Sequence, residues 1–331
     1  MNRRCLTMGL LLLVAVAPRA HARELTGAWT ASTSETEQGR IYFSLQTGRH
    51  DQHGSTFDLA DFAGLNAATI ASKTRVPVQF EIRREAGTIA FDGTFRNGHG
   101  GGDFTFTPNE DYPRKLRSVG VTLEKEGKED ELQQLMNLAL FDVSTDFIRS
   151  MQSIGYRERL EKYVAFRIFD VNPTYVRDMN GVGYRNLTAD KLVETRIHGA
   201  TPEYIREMRR NGEDLSLDQY IESRIFQVTP EFAREMERAG YPRLDRSTLV
   251  QFRIHGVTTE YIRDLRELGY DRVPAQKLVE MRIHGVTPEF IRRVRKAGYH
   301  RVPIDKLVQM RIFNVEPEMV RALDDKDGDA E

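Results

Sequence analysis

From residue 108 onward, apolar positions recur with helical spacing in two alternating stretches. The first carries an aromatic residue, an isoleucine, a methionine or leucine and one further apolar residue, as in Tyr261, Ile262, Leu265 and Leu268. The second runs through pairs such as Leu192-Val193 and Leu278-Val279 and closes on Arg-Ile followed by His or Phe. That closing ring is Phe141, Phe169, His198, Phe226, His255, His284 and Phe313, seven copies at intervals of 28 or 29 residues. A fixed period of this kind marks stacked supersecondary units, each unable to bury its apolar face alone.

Helix boundaries are legible within each unit. Thr201-Pro202-Glu203, Thr229-Pro230-Glu231 and Thr287-Pro288-Glu289 place a capping hydroxyl, a proline at the first helical position and an acid in the first turn. An apolar residue precedes each cap (Val143, Val171, Ala200, Val228, Val257, Val286, Val315) and another follows at the fourth helical position (Ile148, Val176, Ile205, Ala233, Ile262, Ile291, Val320), the pattern of a hydrophobic staple. The first helix ends at Gly155, Gly183, Gly212, Gly240, Gly269 or Gly298, and a second begins at Thr188, Ser216 or Asp245. Seven helix hairpins over residues 108–323 predict an α-solenoid on the order of 70 Å long.

Residues 23–107 alternate instead with a period of two. Strands are predicted at Ile41 to Leu45, Val78/Phe80/Ile82, Ile89/Phe91/Phe95 and Phe104/Phe106, forming an antiparallel meander with one apolar face and Trp29 in its core. This β-module has the size of a small sandwich or partly closed barrel, suited to covering one end of the helical stack. The fold class is therefore α+β, an N-terminal antiparallel β-module followed by an α-solenoid of about seven repeats.

The two ends read differently again. Asn2-Arg3-Arg4, the apolar run Leu10 to Ala17 and Ala20-His21-Ala22 make up a secretory signal over residues 1–22, and no later run is long enough to cross a bilayer. The lone cysteine, Cys5, precedes that run, so cleavage leaves no thiol, and burial must hold the exported chain together. Export to the periplasm is the reading, with secretion beyond the cell left open. Residues 324–331 read as an acidic, disordered tail; Asp325 to Asp329 starts like a calcium loop, but Ala330 stands where the turning glycine belongs. A formal charge of −1 from 48 basic and 49 acidic residues gives no reason to expect nucleic acid.

Repetition also selects the candidate functional residues. Arg196, Arg224, Arg253, Arg282 and Arg311, with Arg167, precede the ring by two and fall on the apolar face of the second helix. A guanidinium there needs a partner, either the last carbonyls of its own helix or the first-turn acid of the next, Glu203 for Arg196, with Glu231, Glu260 and Glu289 in the same place. Arg177, Arg206, Arg234, Arg263 and Arg292, with Arg149 and Arg321, point away from the apolar stripe. They serve either as i,i+3 partners of those acids or bridges to a neighbouring repeat, or as a ladder that docks an acidic or extended partner. His198, His255 and His284 alternate with phenylalanine, which points to ring packing at a helix end; metal ligation would need a shared centre that successive repeats do not offer. The run Gly98 to Gly102 reads as a hairpin connection and His50-Asp51-Gln52-His53 as a solvated turn. No catalytic motif and no cofactor-binding or metal-binding motif emerges.

The stretch Ile283 to Arg292 and its sister copies resemble the repeat of uncharacterised exported bacterial helical-repeat proteins. Similar repeats trail the membrane metallopeptidase domain of antirepressor-type, β-lactam-sensor-like proteins, and Gly87 to Phe95 running into Phe104 to Pro108 is similar to the β-module before them. The zinc motif and membrane spans of those peptidases have no counterpart here, so the resemblance implies envelope sensing without proteolysis. Together these readings predict a periplasmic, non-enzymatic scaffold for another envelope protein or an extended peptide. An enzyme or small-ligand binder with its site in the β-module or at its junction with the repeats is the alternative, and a purely structural envelope component is a third.

Overall fold

The computed structural model describes residues 23–33, 39–48, 52–123 and 131–316, except for the side chains of Gln52 and His53. The signal segment, Arg321, Val320, the acidic tail, His50 and Asp51 lie outside the described residues. The architecture is α+β, an antiparallel half-barrel sheet followed by a helical region. Contacts divide the chain into two compact units, one ending at Ile168 and one starting at Phe169.

Six strands build the sheet: β1 (Leu25–Ser32), β2 (Arg40–Gln46), β3 (Gln52–Asp58), β4 (Val76–Arg84), β5 (Gly87–Arg96) and β6 (His99–Pro108), with a short helix α1 (Ala67–Ile70) before β4. Their order is β3-β2-β1-β6-β5-β4, so two three-stranded meanders are joined through the antiparallel β1–β6 pair rather than forming one continuous meander. Alternation located β2, β4, β5 and β6. It missed β1, half built of small residues, and β3, an edge strand with a largely polar sequence.

The glycine run is not a connection. Asn97 and Gly98, both with positive φ, make the two-residue turn, and Gly100, Gly101 and Gly102 lie inside β6. A Cβ on Gly102 would stand 2.0 Å from the Asp92 carbonyl oxygen, so a side chain there would push β5 away. The inner face is aromatic: Trp29, Phe43, Phe80, Phe91, Phe95, Phe104 and Phe106 are all buried. The Trp29 Nε1 donates to the Asp92 carbonyl at 3.0 Å, which satisfies the one polar atom of the ring.

The helices follow in pairs: α2 (Tyr112–Ser118) and α3 (Glu131–Leu140), α4 (Thr145–Ser153) and α5 (Leu160–Ile168), α6 (Pro173–Gly181) and α7 (Ala189–Ile197), α8 (Pro202–Arg210) and α9 (Leu217–Ile225), α10 (Pro230–Arg238) and α11 (Arg246–His255), α12 (Thr259–Glu267) and α13 (Ala275–Ile283), and α14 (Pro288–Lys296) and α15 (Ile304–Ile312). The first unit holds the sheet and two hairpins, with α3 lying against β4, β5 and β6. The other five hairpins form the second unit.

Local sequence explains where each helix stops. Ser144, Asn172, Thr201, Thr229, Thr258 and Thr287 each accept a hydrogen bond from the amide three residues on, at the start of α4, α6, α8, α10, α12 and α14. At the far end, Tyr270 N donates to Leu265 O (3.0 Å) and Gly269 N to Arg266 O (2.8 Å), a Schellman closure that recurs in all six of these helices. The second helices close in the same way. The residue after the ring is left-handed in every copy: Asp142, Asp170, Gly199, Gln227, Gly256, Gly285 and Asn314. Val228, Phe232, Leu249, Phe252, Val257, Ile262, Leu278, Val286, Ile291 and Leu307 belong to one apolar core that runs through α10 to α15 without interruption.

Candidate functional site

The second-helix arginines bond neither to their own helix nor to the following acid. Five of the six, Arg253 excepted, reach back 26 or 27 residues to the end of the preceding second helix. Nε of Arg167 donates to Phe141 O (2.9 Å), of Arg224 to His198 O (3.3 Å), of Arg282 to His255 O (2.9 Å) and of Arg311 to His284 O (3.4 Å). Arg196 bonds the carbonyl and carboxylate of Asp170 instead of Glu203. On the way, each guanidinium passes over an aromatic ring of its own hairpin: Phe147, Tyr175, Tyr204, Phe232, Tyr261 or Phe290, at 3.7–5.1 Å from the centroid. A cation on the last carbonyls of a helix meets the negative end of its dipole, and the ring below supplies a further electrostatic contact. For Arg253 the stacking on Phe232 is the contact observed.

The first-helix arginines are paired locally. Arg206 meets Glu203 (3.3 Å), Arg234 meets Glu231 (2.8 Å), Arg263 meets Glu260 (3.4 Å), Arg292 meets Glu289 (3.3 Å) and Arg149 meets Asp146 (2.9 Å), all at i,i+3. Arg177, whose first turn lacks an acid, donates to Thr174 Oγ1 at 3.2 Å. The carboxyls of Glu203 and Glu289 are held below the ordinary range first by their own backbone amides, and that of Glu231 first by Arg234. Each arginine keeps about half its side chain in solvent and most of its five donors unspent.

The isoleucine of Arg-Ile-His/Phe lies outside the core. Ile197, Ile225, Ile254, Ile283 and Ile312 of the second unit are 45–54% exposed, and Ile168 of the first is 44% exposed. A helical wheel shows why: Ile197 lies about 140° from the centre of the face formed by the buried Ala189, Leu192 and Thr195. The signal lies in the helical angle, which opposes what the residue type alone suggests. On α9, α11, α13 and α15, which pack in succession, these side chains recur at one helical position, and helices packed in this way lie about 8–10 Å apart. A β-branched residue gains nothing from exposure at a helix end, so its recurrence there is not explained by helix stability.

Links between hairpins fix the spacing of the row. Arg209 donates to Val182 O (2.8 Å), Arg266 to Ala239 O (3.1 Å) and Arg295 to Leu268 O, each bridging successive first helices. Tyr184, Tyr241 and Tyr270 send their hydroxyls to the carbonyls of Leu215, Val273 and Val302, joining successive loops at 2.7–2.8 Å. Lys191 to Asp218 (2.8 Å) and Lys277 to Asp305 (2.6 Å) tie successive second helices. Glu213 stands where the other loops have tyrosine, and Arg246 where the other second helices begin with an apolar residue. These two exceptions meet in an ion pair of 2.5 Å, with the Arg246 side chain 7% exposed.

Two further surfaces are concave. A groove of about 1030 Å³ lies between the loops at 240 and 270, lined by Tyr241, Arg266, Tyr270, Asp271 and Arg272 among others. Another, of about 600 Å³, lies on the outer face of the sheet, where Gln79 is bonded to Asp92 at 2.8 Å. Groups of three or more metal-ligand side chains do not occur among the described residues. His198, His255 and His284 are half-buried at the ends of α7, α11 and α13. Among the described residues no helix is long and apolar enough to cross a membrane.

Comparison with protein-family models, with curated proteins and with solved structures finds no match to this chain.

Proposed function

We propose that the chain is an exported, non-enzymatic scaffold that binds another protein along its helical repeats. The isoleucine row carries this reading. Five identical apolar side chains occupy one place in five hairpins and expose about half their surface, and Ile254, Ile283 and Ile312 lie outside the apolar core of α10 to α15. Single exposed apolar residues are ordinary; a regular row of them is what an interaction surface looks like before its partner arrives. The half-exposed arginines Arg177, Arg206, Arg234, Arg263 and Arg292 recur in the same hairpins and offer donors to the backbone or acids of an extended partner. Export rests on the signal in residues 1–22, and a place in envelope sensing on the resemblance of residues 283–292.

The test combines two variants with cross-linking in intact cells. Ile225, Ile254 and Ile283 replaced together by Ser should abolish the cross-linked adduct while the melting temperature stays within a few degrees of wild type. Arg206, Arg234 and Arg263 replaced by Gln should weaken it in the same way if the ladder contributes. Retention of the adduct by the serine variant would remove the reading.

A further inference from the structure

We propose that the occupant of the isoleucine row is the same row of a second copy of this chain; the inference rests on the row being a binding surface. Three observations lead there: spacing, area and charge.

Spacing comes first. Successive second helices in contact lie about 8–10 Å apart, and three of the four steps of the row are tied, α7 to α9 by Lys191–Asp218 and Arg224, α11 to α13 by Arg282, and α13 to α15 by Lys277–Asp305 and Arg311. A partner helix with an apolar residue at every seventh position advances about 10.5 Å per step, so a mismatch of about 0.5–2.5 Å at each of four steps leaves its fifth contact roughly 2–10 Å out of place. A second copy has the same step by construction. Packed antiparallel about a two-fold axis, Ile254 faces its own copy, Ile225 faces Ile283, and Ile197 faces Ile312.

Area comes next. Five isoleucines about half exposed present on the order of 400 Å² of apolar surface. A stable isologous interface buries about 800 Å² on each partner, a little over half of it apolar. The row therefore supplies most of the apolar centre that such an interface requires, and the polar residues around it supply the rim.

The charges beside the row suit a like surface. Glu194 and Glu280, one turn before Ile197 and Ile283, are neutralised by Lys191 and Lys277, and on the first helices Glu203 is neutralised by Arg206 and Glu231 by Arg234. Two copies brought face to face thus meet alternating, internally paired charges rather than a field of one sign, which would repel.

Sedimentation velocity of the purified full chain reads the outcome directly, together with a photoreactive residue placed at 254. The expected result is a particle of twice the chain mass, a cross-link at that mass, and a monomer of unchanged helicity when Ile225, Ile254 and Ile283 become Ser. Should the triple variant fail to fold, Ile254→Arg alone sets two like charges against each other at the axis and should give a folded monomer. A wild-type chain that stays monomeric at every soluble concentration overturns the proposal, as does a serine or arginine variant that remains dimeric. If the wild type is monomeric and residue 254 cross-links to a different protein in cells, the second copy is excluded and the binding surface stands. If it cross-links to nothing, both fall.

Discussion

Glu213 and Arg246 form an ion pair at the two positions where one hairpin and the next depart from the repeat pattern. Arg246 also donates to Val228 O at 3.2 Å, so its charge has two partners in a nearly dry place. Removing one member leaves the other charge uncompensated. Glu213→Ala should cost roughly 2–4 kcal/mol in urea unfolding. Combined with Arg246→Leu, the loss should fall below that of the single variant. Additive losses in this double-mutant cycle would mean that the pair is not coupled.

The 28-residue spacings have a local cause, visible at Tyr163 and Tyr220. Their loops are one residue shorter than the others, and the freed backbone groups turn to the tyrosine hydroxyl. Tyr220 donates to Glu213 O (2.7 Å) and accepts from Leu215 N (3.3 Å); Tyr163 does the same with Tyr156 O (2.9 Å) and Glu158 N (3.2 Å). Leu192, Leu249, Leu278 and Leu307 occupy this place where the loop is longer. Tyr220→Phe should destabilise by about 1–3 kcal/mol, since it strands two backbone groups. Inserting one glycine after Asp214 in that variant should recover part of the loss, and calorimetry would show it.

The two arginine sets should separate in their effect on stability. Arg282 bonds His255 O at 2.9 Å and stacks on Tyr261, whereas Arg292 makes an exposed pair with Glu289. Arg282→Met should cost about 1–2 kcal/mol through the lost cap and ring contact. Arg292→Gln should cost about 0.5 kcal/mol or less, as exposed i,i+3 pairs do. Equal losses would contradict the assignment of different roles.

Acid should loosen the junction between the sheet and α4. Burial raises the pKa of Glu85, but hydrogen bonds from the amide and hydroxyl of Thr145, with Lys115 nearby, more than offset it and leave the carboxyl below its ordinary range. A depressed pKa contributes stability that is complete above the unfolded carboxyl value, about 4.3, and is lost as pH falls through the lower folded value. The stability gap between wild type and Glu85→Gln should therefore be constant from neutrality down to about pH 5 and shrink below it. A gap that widens in acid would reverse the sign of the argument. Burial likewise pushes up the hydroxyl of Tyr112, whose proton is committed to Val143 O.

Much of the fold was legible because the repeat wrote the same boundary signals many times. Threonine before proline, glycine before tyrosine and the apolar pairs each located a helix end or a core position. What escaped had physical reasons. β1 and β3 alternate weakly because one is built of small residues and the other lies at the sheet edge. The partner of Arg196 was misassigned because a carbonyl some 26 residues back leaves no mark in composition. The isoleucine row was present in every repeat, yet residue type argued for the core while the helical angle argued for solvent. At the Glu213–Arg246 pair, two departures from the repeat in neighbouring hairpins are the only mark in the sequence, and no local pattern joins residues 33 positions apart.

The most direct measurement compares photo-cross-linking in intact cells from residue 254, in the isoleucine row, with that from residue 272, in the exposed α12–α13 loop of the next hairpin. A contact surface formed by the row predicts a defined adduct from 254 and none from 272. An adduct from 272 with none from 254 would contradict it.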